Sequence, residues 1–142
     1  MLRRLTSTFP TWATVPLRLA LGTVFVGHGS QKVLGSFKGP GFAKFTAYPA
    51  PFPFMRPAWL WMGAAAVSEL IGGILVLLGL FTRVGAFLIT CVMITAIVGV
   101  HWPAFFAPAG MELAMAMLGM ALALLIAGGG QASIDRLISR RR

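Results

Sequence analysis

The chain has 142 residues, 58% of them hydrophobic and only 11% charged. Soluble domains carry about 25% charged residues, so this sequence lacks the polar surface to cover a water-soluble globule. The formal net charge of +9 does not indicate nucleic acid, because the bases gather at the ends of apolar runs and at the C-terminus, where they read as topology signals and anionic-lipid contacts.

The N-terminal segment MLRRLTSTFPTWATVPLRLALG places bases before an apolar stretch. Pro10, Pro16 and Arg18 interrupt that stretch and no small-residue cleavage site follows, which predicts an uncleaved first helix and not a signal peptide. Four apolar runs, 15–34, 57–80, 84–100 and 111–127, approach the roughly 20 residues a transmembrane helix needs. Pro16 and Pro57 suit helix starts. His101, Trp102 and Pro103 close the third run, and Gly128, Gly129 and Gly130 close the fourth. The predicted fold is therefore all-α: a four-helix transmembrane bundle forming one domain over 1–142, with a basic tail at 131–142.

Only Phe81, Thr82 and Arg83 join the second and third runs, which forces an antiparallel hairpin. Arg3, Arg4, Arg83, Arg136 and Arg140 to Arg142 gather on one side, and Lys38, Lys44 and Arg56 on the other, with Lys32 near its edge. The positive-inside rule then puts both termini in the cytoplasm of a bacterial-type inner membrane. Residues 35–56, rich in Gly, Pro and aromatics, fall on the outer face. They read either as an interfacial aromatic belt or as a lid over a site that opens outward. The tail is short and amphipathic and is expected at the cytoplasmic lipid surface. Cys91, the only cysteine, excludes an internal disulfide and reads as a small buried hydrophobe.

Glu69 lies mid-run, where an acidic group is costly and normally faces a bundle interior with a partner. On the first helix Arg18, Gly22, Phe25, Gly29 and Lys32 form one stripe, with His28 at its margin and Gln31 further round. Depth along antiparallel helices makes His28 the expected partner of Glu69, with Gln31 second. Lys32 is expected to snorkel outward, and Arg18 lies too far toward the cytoplasm. Ala65, Ala66, Gly72 and Gly73 surround Glu69, and Ala116, Gly119 and Ala123 continue a second small-residue seam from Glu112. Glu112 suits the first turn of its helix. With His28, Lys32 and His101 it can line the outward mouth of one cavity. No HExxH or ExxH spacing is present, so no metal site is expected.

The stretches RLALGTVFVGHGSQKVLGSF, SELIGGILVLLGLFTR and GMELAMAMLGMALALLIAGGG, with the following SID, resemble the DoxX family of small membrane proteins, over nearly the whole chain from Leu17 to Asp135. The resemblance implies four transmembrane helices and a redox context, since relatives include a membrane subunit of a thiosulfate–quinone oxidoreductase. It carries Arg18, His28, Gln31, Lys32, Glu69 and Glu112 as the matching polar positions. Three functions are compatible with these residues. One is a redox-associated subunit that holds a quinone in a buried polar pocket, has no intrinsic cofactor and takes electrons from a partner membrane or peripheral protein. The second is a non-catalytic anchor of a larger complex. The third is a small-anion transporter, which needs a homo-oligomer. Whether the chain itself is an enzyme stays open among them.

Overall fold

The computed structural model describes residues 6–106, 108 and 110–140. The described residues form six α-helices and no strand: α1 (Thr14–Val33), α2 (Gly41–Thr46), α3 (Ala58–Leu78), α4 (Thr82–Ala96), α5 (Glu112–Ala127) and α6 (Ile134–Arg140). A 3-10 turn, Ser36–Lys38, precedes α2, and a π-helical segment, Ile97–His101, extends α4. The long helices alternate in direction. α1 packs on α3, α3 on α4, α4 on α5, and α5 returns to α1. One end, the terminal end, holds residues 6–13 and α6, and the other, the loop end, holds residues 35–56.

Two helices are long and apolar enough to cross a membrane, Ala58–Leu78 with 21 residues and Thr82–His101 with 20. Glu112–Ala127 is apolar but shorter. α1 has the length, with 20 residues, but carries Arg18, His28 and Lys32. Leu21, Val76, Ala86, Ile89, Ala121 and Leu124 are completely buried between the helices. Large apolar side chains face outward instead, among them Leu19, Ile71, Ile74, Phe87, Ile94 and Leu122. A protein in water would bury such residues, whereas acyl chains accept them.

Glycine sets how α1 and α3 meet. A Cβ on Gly29 would lie 2.5 Å from the Leu70 backbone, and one on Gly22 would lie 2.9 Å from that of Leu77. On the other helix a Cβ on Gly73 would come 2.7 Å from the Val26 nitrogen. The backbones are thus in direct contact, as small residues permit in helix pairs that lack a hydrophobic driving force. Gly22 against Leu77 and Gly29 against Leu70 fix one antiparallel register, with Ser30 opposite Glu69.

The seam expected on the last long helix is not an internal one. α5 packs through Ala114, Met117, Ala121 and Leu124, while Ala116 and Gly119 are exposed and a Cβ on Gly119 would meet nothing within 4 Å. The bulky Met and Leu side chains win the core face because they fill the space beside Phe25 and Ile89.

The two glycine environments give opposite expectations. Gly29→Ala forces backbone apart and should cost about 1–3 kcal/mol, read as a lowered unfolding midpoint in detergent. Gly119→Ala adds a methyl in open space and removes helix-interior glycine, so it should be neutral or stabilising by up to about 1 kcal/mol. Equal effects at the two positions would contradict the described register.

Candidate functional site

At the loop end Glu69 is buried and Lys32 turns inward to meet it. Lys32 Nζ donates to both carboxylate oxygens, each at 2.5 Å. Glu69 is 4% exposed and Lys32 25%. Ionised donor and acceptor make this the strong kind of hydrogen bond. Lys32 Nζ also lies 5.2 Å from the centre of the Phe45 ring, within cation–π range.

This corrects the expected partner. His28 is exposed and Glu69 is bonded to Lys32 instead. Depth does not separate the candidates: with Ser30 opposite Glu69, His28 and Lys32 each sit two residues away, about 3 Å along the axis. Azimuth does. Lys32 follows Gly29 by three residues on the stripe that touches α3, whereas His28 precedes it by one and points about 100° aside. The ammonium gains more from the buried carboxylate than from turning outward, because the carboxylate alone would be desolvated without compensation.

The pair stands between two cavities. The larger, about 740 Å³, lies between α3 and α4 under the 35–56 segment. Its wall is mainly apolar, with Met55, Trp61, Met62, Leu88 and Val92, while Phe45 and Tyr48 contribute from α2 and the residues after it. Those two rings meet edge to face at 5.9 Å. α2 is held on α3 at Gly63, where a Cβ would come 3.2 Å from the Phe42 ring. The segment then crosses to the π-helical end of α4, where a Cβ on Gly99 would lie 2.6 Å from Pro51. Aromatic residues thus cover the cavity. Cys91, expected to be buried, is exposed on this wall, because α4 turns that face toward the opening and not toward α5.

The smaller cavity, about 330 Å³, lies among α1, α4 and α5 and is lined by His28, Lys32, Glu69, His101 and Glu112 together with apolar residues. Five of the seven sequence candidates are therefore gathered around one ion pair. Lys32, Glu69 and His101 border both cavities, and His28 and Glu112 border the smaller one alone. Gln31 borders neither; its backbone is covered by Gly39. Glu112 occupies the first turn of α5.

Arg18 belongs to a different centre, at the terminal end. Its side chain is 5% exposed. Nε donates to Val76 O at 3.0 Å, Nη2 to Leu77 O at 3.0 Å, and Nη1 to Gly129 O at 3.0 Å and Ala132 O at 2.6 Å. These include carbonyls that the end of α3 leaves without an intrahelical partner. Gly79 makes the approach possible, since its φ of +66° is left-handed and a Cβ there would lie 2.5 Å from the guanidinium carbon.

Asp135, which the sequence reading did not single out, completes this centre. Its carboxylate accepts from Phe81 N at 2.7 Å and Thr82 N at 2.9 Å, and it is 1% exposed. Phe81, at the N-cap of α4, makes no side-chain cap. Asp135 supplies the missing acceptor from across the chain, at the positive end of the helix dipole. The tail therefore does not simply rest on lipid: its start is locked into the helix ends, and Ser139 Oγ donates to Thr6 O at 3.0 Å. A lone Asp in a basic tail was the available signal, but the sequence does not indicate which helix end lacks a cap.

The DoxX family model matches residues 13–102, a span that holds both members of the ion pair and most of the larger cavity. The chain is also 33% identical over 143 residues to a protein of Mycobacterium tuberculosis (strain ATCC 25618 / H37Rv) described as an uncharacterized membrane protein, covering 91% of this chain and 83% of that one. No solved structure matches significantly. The chain belongs to the DoxX family and is a membrane protein.

Glu69→Leu strands the Lys32 ammonium and should destabilise by about 3 kcal/mol, the lower end for a buried pair because Lys32 is partly exposed. The double change Lys32→Met with Glu69→Leu should recover most of the loss, measured as detergent unfolding midpoints; additive losses would refute the pairing. Asp135→Ala should cost about 2 kcal/mol by uncapping α4, with Asp135→Asn milder. Hydrogen exchange checks this prediction, since the faster-exchanging amides should be those of residues 81 and 82.

Proposed function

We propose that this DoxX protein is a redox-associated membrane subunit whose 740 Å³ cavity takes a quinone or a similar lipid-dissolved molecule. We also propose that all four long helices cross a bacterial-type inner membrane as a bundle, with both termini cytoplasmic. Support for the topology comes from the distribution of charge. Arg18 and the Lys32 ammonium turn inward, which leaves Leu19, Ala20, Thr23 and His28 on the outer face of α1. Arg83, Arg136 and Arg140 sit at the terminal end, and the sequence adds Arg3, Arg4, Arg141 and Arg142 next to the segments described there, whereas Lys38, Lys44 and Arg56 belong to the loop end.

The observation that carries the ligand reading is the Lys32–Glu69 pair at the edge of an otherwise mainly apolar chamber of ligand size. Binding sites for small molecules are typically cavities of about 300–1,000 Å³ with few convergent polar groups. A quinone ring would lie against Met62, Trp61 and the Phe45–Tyr48 cover. Lys32 would donate to a ring oxygen, and Glu69 would hold that ammonium in place. Exposed Trp61 and Cys91 on the wall leave an opening toward lipid between α3 and α4, the side from which such a molecule would arrive. Electrons would come from a partner protein.

A second reading, a non-catalytic anchor, draws on the exposed Ala116 and Gly119 face of α5, which suits close approach of another helix. The two roles are compatible in one complex.

Purified protein in nanodiscs should gain a saturable rise in unfolding temperature on addition of decylubiquinone or a menaquinone analogue. At a hundredfold excess over Kd the gain corresponds to about 2.7 kcal/mol. Ala65→Trp, which fills the chamber, should abolish the rise, and Glu69→Gln should weaken it at least tenfold in Kd. Absence of any saturable shift in the wild type would overturn the ligand reading.

A further inference from the structure

We propose that the smaller cavity is a water-filled route for protons from the loop-end face to the Lys32–Glu69 pair, which would make that pair a gate between an aqueous compartment and a lipid-side one. The inference deepens the ligand reading of the larger cavity. The route itself does not depend on that reading; only the destination of the proton does.

The two compartments share the ion pair but differ in their walls. Titratable side chains make up five of the thirteen residues lining the smaller cavity, against five of the twenty-one lining the larger. A volume of about 330 Å³ corresponds to roughly ten waters at about 30 Å³ each, and waters persist where several polar partners surround them. The groups facing the pair come from each neighbouring element. α1 brings His28, the extension of α4 brings His101 and α5 brings Glu112. On the larger-cavity side, Cys91 and Tyr48 are the further titratable groups, beside His101, which borders both. His101 ends the extension of α4 and Glu112 begins α5, so the polar wall continues from the pair toward the loop end.

The route is one-sided. Below the pair, toward the terminal end, Leu21, Val76, Ile89, Ala121 and Leu124 are completely buried, and the hydroxyl of Thr90, next to Ile89, is taken up by Ala86 O. Protons can therefore reach Glu69 from the loop-end face but not through the core. The step balances simply. A hydronium ion arriving through the cavity gives its proton to the Glu69 carboxylate, leaving a water molecule, and opens the bond to the Lys32 ammonium. Passing that proton to a ligand oxygen in the larger cavity restores the carboxylate and re-forms the ion pair. No electron moves in this step.

The test uses the full chain in oriented vesicles with no ligand added, in a Cys91→Ala background. Ala114→Cys lies on the smaller cavity and Ala65→Cys on the larger. A charged, membrane-impermeant thiol reagent applied at the loop-end face should label Ala114→Cys at least tenfold faster than Ala65→Cys, and a lipid-soluble maleimide should reverse that order. Infrared difference spectra after an external pH step should show a carboxyl change that is absent in Glu69→Gln. Blocking Ala114→Cys with a bulky reagent should slow that change at least tenfold in the same folded protein. If Ala114→Cys resists the charged reagent, or if blocking leaves the infrared rate unchanged, the route is wrong. A failed quinone shift with these results intact would overturn the ligand reading alone.

Discussion

A buried carboxylate in a membrane helix needs a cation close enough to offset its desolvation, and the loop end of this protein is organised around meeting that need. Lys32 reaches Glu69 only because α1 and α3 touch backbone to backbone. That contact exists because Gly22, Gly29 and Gly73 leave no side chain between the helices. Close approach brings the Lys32 stem onto the α3 face, and the ammonium then has a carboxylate within hydrogen-bond distance. With ordinary side chains at the glycine positions, the helices would separate and the Glu69 carboxylate would be desolvated without its cation.

The molecule uses its buried charges for two different purposes. At the terminal end Arg18 and Asp135 serve the backbone: one satisfies carbonyls where α3 ends, and the other satisfies amides where α4 begins. Such groups are fully engaged and have little left for a ligand. At the loop end Lys32 and Glu69 engage mainly each other and border open space on two sides. A layer of fully buried Leu, Val, Ile and Ala separates the two centres. This division explains why chemistry is assigned to one end and architecture to the other, although both carry ionisable residues inside apolar helices.

Membership of the DoxX family follows from the match over residues 13–102, which includes α1, the aromatic cover, α3 and α4. Those elements make up the larger cavity and both members of the pair. α5 lies beyond that span. It closes the core with Met117, Ala121 and Leu124 and supplies Glu112 to the smaller cavity. The matched span thus contains the lining of the chamber, and α5 supplies a further wall beside it.

The sequence by itself determined the all-helical character, the membrane setting and the stripe from Arg18 to Lys32, because apolar run length and the 3.6-residue period are local properties of a chain. It also marked Glu69 as needing a partner, since the cost of that charge depends only on its surroundings being apolar. The choice of Lys32 over His28 belonged to the tertiary structure. Two residues equally offset in depth from Glu69 are separated by helix rotation and backbone distance, which arise when glycines on two helices come into contact. The same holds for Asp135, whose acceptor role depends on a helix end 53 residues away in sequence, and for the division of one polar cluster between two cavities. Local pattern states that a charge must be answered; only packing decides which group is near enough to answer it.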